Sequence, residues 1–215
     1  MARYTGPYCR LCRRVDEKLM LKGERCAGPK CAMDRRSMAA GKRRTGQRGT
    51  GRRPRKLSDY GVRLREKQKA RYTYGVLERQ FRRVFAEAEK SPGRTGEALI
   101  QFLERRLDNT VYRAGFAESR NEARQLVSHG HMTVNRRRVN IPSFLVKPGD
   151  IFAWSEGSIT QEPYKCALEG IDSKVIPSWL SIDKSNLSGR VLSLPLIDEV
   201  GAKFDGKMIV EHYSR

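Results

Sequence analysis

The sequence predicts an α+β protein, mostly helical, carrying one small turn-rich antiparallel sheet. Three observations carry that expectation. Between Ser58 and Gly130 the apolar residues recur at helical spacing. After Gly130 the period changes to alternation, in His131-Met132-Thr133-Val134 and again in Arg138-Val139-Asn140-Ile141. The charge is also lopsided. The 215 residues carry a formal net charge of +20, yet Asp150 to Arg215 holds seven basic and ten acidic residues, leaving +23 on residues 1–149. Solubility alone needs a net charge of only about 2–8, so the first two thirds of the chain are built to hold a polyanion.

Ser58 is the predicted cap of a helix running to about Tyr74. A cleaner amphipathic helix is predicted from about Gly75 to Lys90. Leu77, Phe81, Val84, Phe85 and Ala88 share its inner face, and Arg79, Arg82 and Arg83 point elsewhere. Ser91-Pro92-Gly93 ends it. Thr95 opens a third helix, read as continuous to Gly115, with Leu99, Leu103, Leu107, Val111 and Ala114 as its buried stripe. Arg106, Asn109 and Arg113 form a second stripe, predicted to face a partner. Ser119 to Glu122 is a capping box that starts a fourth helix, and Gly130 stops it. There Ala123, Leu126 and Val127 face inward, with Arg120, Arg124 and Ser128 opposite. Two strands are predicted around Asn135-Arg136-Arg137, then a turn at Lys147-Pro148-Gly149-Asp150 and a strand from Ile151 to Trp154. The remainder is more apolar and acidic, with a strand-like Met208-Ile209-Val210, and is expected to pack back on the helices.

Four of the five cysteines fall near the N-terminus as Cys9-x2-Cys12-x13-Cys26-x4-Cys31. Two close pairs of soft ligands complete a tetrahedron around one metal ion. Neighbouring Lys and Arg are expected to favour the thiolates. Zinc is the preferred ion, an iron–sulfur cluster is the alternative, and four reduced thiols are the plain reading. Cys166 stands apart and reads as a small core residue.

From Arg35 to Lys56 there are ten basic residues, four glycines and no acid. Such a segment has too little apolar surface to fold alone, and it reads as an arm that orders on phosphate through Arg35, Arg36, Arg43, Arg44, Arg52, Arg53, Arg55 and Lys56. Arg63, Lys67 and Arg71 extend the basic surface along the first helix. The central candidates are Arg105, Arg106, Asn109, Arg113, Ser119, Arg120, Arg124 and Gln125, followed by His129, His131, Asn135, Arg136, Arg137 and Lys147. Arginine pairs with phosphate through two parallel N–H groups, while Asn and Gln suit sugar hydroxyls and base edges. A multi-helix basic face of this kind recognises folded RNA by shape.

No stretch reaches the roughly 18 apolar residues of a membrane span, and MARYTGPYCRLCRR lacks the apolar run of a secretory signal. A cytosolic chain with reduced cysteines is expected. There is no P-loop, dinucleotide fingerprint, HExxH or recognisable Ser/His/Asp set. No small-molecule substrate, membrane partner or catalysis is therefore expected.

The segments LERRLDN, VYRAGFA, QLVSHGH, TVN, IPS and PGD resemble the RNA-binding domain named after the bacterial small-subunit ribosomal protein S-four. The resemblance extends to YTGPYCRLCRR, LKGERC, PKCAMDRR, LSDYGVRLREKQKARYTYGVLERQF and the terminal IVEHYSR, nearly the whole chain. It implies a helical domain made of N- and C-terminal portions with the small α/β RNA-binding domain set between them. Residues 1–45 would be the cysteine-containing extension and arm, 46–96 a helical domain completed by 171–215, and 97–170 the RNA-binding domain. It further implies a primary binder of small-subunit ribosomal RNA that nucleates assembly of the subunit body. Implied partners are a neighbouring small-subunit protein, at an interface affecting decoding accuracy, and messenger RNA near its entry channel. Cys9, Cys12, Cys26 and Cys31 match the zinc-binding form of the family. Where many members have Asn-Gly at the hairpin, this chain has Asn135-Arg136, which predicts a wider loop. Competing readings are an RNA-modifying enzyme carrying the same module and a zinc-finger regulator that binds DNA. The first needs a separate catalytic domain, the second a recognition helix, and the sequence has a signal for neither.

Overall fold

Helix α1 (Cys9–Val15) buries Leu11, Cys12 and Val15, and Asp16 closes it in a left-handed conformation. This computed structural model describes residues 3–35 and 57–214, so of the predicted arm only Arg35 lies within the described residues. After the short α2 (Glu24–Ala27), helix α3 (Asp59–Thr73) begins at Ser58, whose hydroxyl accepts from the Gly61 N–H as predicted. The next helix starts later than its pattern suggested. Gly75 takes a left-handed φ of 63°, and the Val76 N–H turns back to the Arg71 carbonyl. Helix α4 therefore spans only Glu78–Lys90.

The predicted third helix is two. Helix α5 (Thr95–Glu104) ends at Arg105, and α6 (Leu107–Arg113) starts after an extended Arg106 with ψ 136°. The break is made by pairing with a distant segment. Leu107 N–H donates to Phe144 O, Val146 N–H donates to Arg105 O, and Arg106 bridges Leu145. Helical periodicity continues across the gap because both helices bury the same stripe: Leu99, Leu103, Leu107, Val111 and Ala114 are all fully buried. Helix α7 (Arg120–Ser128) has Ser119 accepting from the Glu122 N–H, while the Glu122 carboxylate takes the Glu118 N–H, one residue before the cap.

Strands β1 (Met132–Val134), β2 (Arg137–Arg138), β3 (Ile151–Trp154), β4 (Leu180–Asp183) and β5 (Ser188–Val191) make one antiparallel sheet in the order β2-β1-β3-β5-β4. The hairpin is tighter than predicted. Asn135 and Arg136 both adopt positive φ, 49° and 64°, as a primed two-residue turn requires. Asn135 holds that geometry by donating to Asp150 and accepting from the Ile151 N–H, at 2.9 and 3.0 Å. The second predicted strand shrinks to Arg137–Arg138.

Helices α8 (Glu162–Gly170) and α9 (Ile197–Val200) complete this part of the chain, and α10 (Gly206–Tyr213) follows. The strand predicted around Ile209 is thus a helix, capped by Asp205, which accepts from the Lys207 N–H. Cys166 is exposed on α8 and not a core residue.

The chain forms two compact units, residues 1–78 with 203–215, and residues 79–202. The second is larger than the 97–170 read from the sequence, because β5 pairs with β3 and draws residues 180–191 into the sheet. In the first unit α10 lies along α3 through Arg63–Glu211 (2.9 Å) and the Tyr60–His212 ring contact. There α1 meets α3 through Lys69–Glu17 and an Arg65 bond to the Val15 carbonyl. In the second, Met132, Val134, Phe152, Trp154, Leu180 and Val191 face Leu107, Val111, Phe116, Leu126 and Val127 in one apolar core. Gly189 sits under the Phe152 ring, where an added Cβ would run into the ring, with Ile182 Cδ1 at 2.7 Å.

Gly189→Ala is therefore expected to cost about 1–3 kcal/mol of stability through overpacking. Urea denaturation of the full chain measures it, and an unchanged midpoint would refute the packing argument.

Candidate nucleic-acid interface

The central basic residues fall into two groups, and their burial separates them. Glu104 at the end of α5 is fully buried, and its carboxylate accepts from Arg113 Nε and Nη2 at 2.9 and 3.0 Å and from Asn109 Nδ2 at 2.7 Å. Asn109 Oδ1 in turn accepts from Arg120 Nε at 2.7 Å, and the Arg120 guanidinium lies over the Tyr112 ring at 4.5 Å. Arg113 also donates to the Val200 carbonyl at the end of α9, at 2.8 Å. Asp108, also buried, holds Arg106 through two bonds of 3.0 and 2.7 Å and lies 3.9 Å from Arg124.

The stripe Arg106, Asn109 and Arg113 is thus corrected from an outward face to an inward one. Arg106, Asn109 and Arg124 are at most 5% exposed, and Arg113 and Arg120 are half-buried. The reason is chemical: two acids on the same helix pair, Glu104 and Asp108, offer the arginines charge-assisted partners that solvent cannot match. Arg105 is likewise engaged, donating to the Val146 carbonyl at 3.0 Å.

The first helix shows the same correction. Lys67 and Arg71 converge on Glu78 at 2.9 and 3.0 Å, joined by the Tyr213 hydroxyl, and Arg63 pairs with Glu211. Burial pushes the Glu78 carboxyl up, but the hydrogen bonds from Lys67 and Tyr213 and the Lys67 and Arg71 charges outweigh it and hold it below its ordinary value. These cations fasten α3 within its own unit.

What the structure leaves on the surface is a smaller set. Gln125, His129, Asn135, Arg136, Arg137 and Lys147 are exposed, and Ser119 is half-buried at the α7 cap. The α7 C-terminus, the hairpin and the Lys147 turn present them. Arg138 fastens that corner by donating to the Gly130 and His129 carbonyls at 2.7 and 3.0 Å. His131 is half-buried against Trp154 and His129, with Nδ1 2.8 Å from Ser158 Oγ. Burial, with the nearby His129 and Arg138 charges, pushes its imidazole below the ordinary value. It serves as a neutral packing and hydrogen-bonding group near neutral pH.

Cys9, Cys12, Cys26 and Cys31 line one cavity of the first unit, with Tyr8 and Leu21, and all four are free thiols. Among the described residues no three His, Cys, Asp or Glu side chains are drawn together as a formed metal site. Burial pushes the Cys12 thiol up, opposed by a Leu19 backbone hydrogen bond and reinforced by Cys26, Cys9 and Cys31. The expected lowering by nearby basic residues is overturned for Cys12. Burial thus makes the Cys12 thiol hold its proton more tightly, and four thiols lining one cavity are the donor type that a soft divalent ion takes by displacing such protons.

Glu104→Ala is expected to destabilise the 79–202 unit by about 3–5 kcal/mol, because it strands Arg113 in a half-buried site. Glu104→Gln keeps an acceptor for Arg113 and should fall between. Equal denaturation midpoints for the three proteins would show that the ion-pair hub carries no stability.

A family model of the ribosomal protein S4/S9 N-terminal domain matches residues 3–104, and an S4 domain model matches residues 105–152. The chain is 56% identical to small ribosomal subunit protein uS4 of Pelotomaculum thermopropionicum over the full length of both. It is 52% identical to that of Dictyoglomus thermophilum and 51% to that of Thermus thermophilus, again end to end. Likeness at this level along every residue, together with both domain matches, places the chain in the uS4 family of small ribosomal subunit proteins.

Proposed function

We infer that this chain is a structural constituent of the small ribosomal subunit, bound to its ribosomal RNA. The observation that carries the reading is full-length identity of 51–56% with relatives named for that subunit. The +23 on residues 1–149 agrees with it. The family is one of structural RNA-binding proteins, so no catalytic role is assigned. No helix among the described residues is long and apolar enough to cross a membrane. The ribosome, in the cytosol, is its place of action.

Finer readings go with it. The exposed residues Gln125, His129, Asn135, Arg136, Arg137 and Lys147 are proposed to touch RNA directly, together with the arm containing Arg36, Arg43, Arg44, Arg52, Arg53, Arg55 and Lys56, which lies outside the described residues. Arg106, Asn109, Arg113, Arg120 and Arg124 are proposed to shape that surface from beneath. Nucleation of the subunit body, and contact with a neighbouring protein and with messenger RNA at its entry, belong to the same proposal.

Cys9, Cys12, Cys26 and Cys31 are proposed to hold one structural zinc ion, supported by the single cavity they line. Bound zinc would cross-link α1 to the segment from Cys26 to Cys31, in a region whose apolar core is limited to a few residues such as Leu11, Val15, Leu19 and Tyr72.

Gradient sedimentation of a cell lysate tests the main reading: the chain is expected with small subunits, and its absence from subunits and their precursors would end the proposal. For the metal, elemental analysis of the purified chain is expected to give about one zinc per chain. Cys26→Ser should lose the zinc and lower the melting temperature. Iron with inorganic sulfide, or no metal at all, would overturn the zinc reading.

A further inference from the structure

We propose that the outward ridge of α4, centred on Arg79 and Arg83 with Arg82 beside them, is a second phosphate-binding surface for ribosomal RNA. It is separate from every candidate read from the sequence. The proposal rests on the RNA-binding reading above and specifies where part of the grip lies.

Arg63, Lys67 and Arg71 are held by acids, and so are Arg106, Arg113 and Arg124. The helices that looked most like RNA-facing surfaces have used their arginines internally. At Arg79 and Arg83 on α4 the opposite holds. Phe81, Phe85 and Ala88 occupy the buried face, and Arg79, Arg82 and Arg83 are exposed on the other side. Among the described residues neither Arg79 nor Arg83 has an ion pair. One helical turn separates them, about 6 Å along the axis, so two guanidinium forks point out on one side of a rigid rod. Arginine on such a scaffold loses little conformational freedom on pairing with phosphate.

The ridge suits a nucleic-acid backbone better than an acidic protein. Protein interfaces are organised around buried aromatic or aliphatic anchors, and Ala86 is the one apolar side chain on the exposed side of α4. The small alanine also keeps the surface low where a backbone would approach. In the following turn Glu87, Glu89 and Lys90 are exposed and mix the two signs, so the unmixed positive charge lies in the first two turns.

The test compares the full-length wild type with Arg79→Gln/Arg83→Gln, binding protein-free small-subunit ribosomal RNA between about 50 and 200 mM KCl. Both positions are exposed, so unchanged melting is expected. The slope of log affinity against log salt should fall by about two, roughly one per lost phosphate contact. A control variant, Lys165→Gln/Lys207→Gln, removes equal charge from exposed positions elsewhere and should keep the wild-type slope. A wild-type slope in the arginine variant, or an equal fall in the control, would overturn the proposal. So would an unchanged slope with loss of a neighbouring protein from reconstituted subunits, which would assign the ridge to a protein partner. Wild type that fails to bind the RNA at all would instead sink the ribosomal reading beneath it.

Discussion

The buried carboxylate of Glu104 is the constraint on which the second unit depends. It sits where α5 stops, and it ties α6 through Asn109 and Arg113, α7 through Arg120, and the end of α9 through the Arg113 bond to Val200. A charge fully removed from water costs several kcal/mol unless its lone pairs are filled. Here they are filled by Asn109 and Arg113 of α6, with the Arg120 guanidinium of α7 adding its charge from 4.0 Å. Asp108 repeats the device with Arg106 and Arg124. Two acids thus organise four arginines, and the unit's shape follows from satisfying them.

That arrangement changes how basic residues should be counted in this protein. Net charge measures attraction to a polyanion over distance, but not which cations reach it. Of the ten candidate contact arginines among the described residues, seven are internal fasteners: Arg63, Arg71, Arg105, Arg106, Arg113, Arg120 and Arg124. The long-range field survives this, since pairing two acids with four arginines still leaves positive charge behind.

The apolar stripes were legible in the sequence because periodicity reports burial directly: Leu99 through Ala114 and Phe81, Phe85 and Ala88 are all buried. The fate of the polar stripe was not, because spacing gives a direction and not what lies there. A signal existed in Arg106 and Asp108, two residues apart beside Glu104. The break at Arg105-Arg106 was hidden since it is made by Phe144 and Val146, some forty residues away, without any Gly or Pro. The last helix was hidden behind the strand-like Met208-Ile209-Val210, although Asp205 stands at its N-cap. Asn135-Arg136 shows the reverse, where tertiary hydrogen bonds, one given to the Asp150 carboxylate and one accepted from the Ile151 N–H, overrode the local preference for a glycine.

The sheet ends on one side at β2, two residues long and both arginine. An open strand edge is ordinarily a template on which another copy can add its own backbone. An edge this brief offers almost no ladder, and two like charges would face any copy that tried. Pairing of another copy along this edge of the sheet is thereby disfavoured.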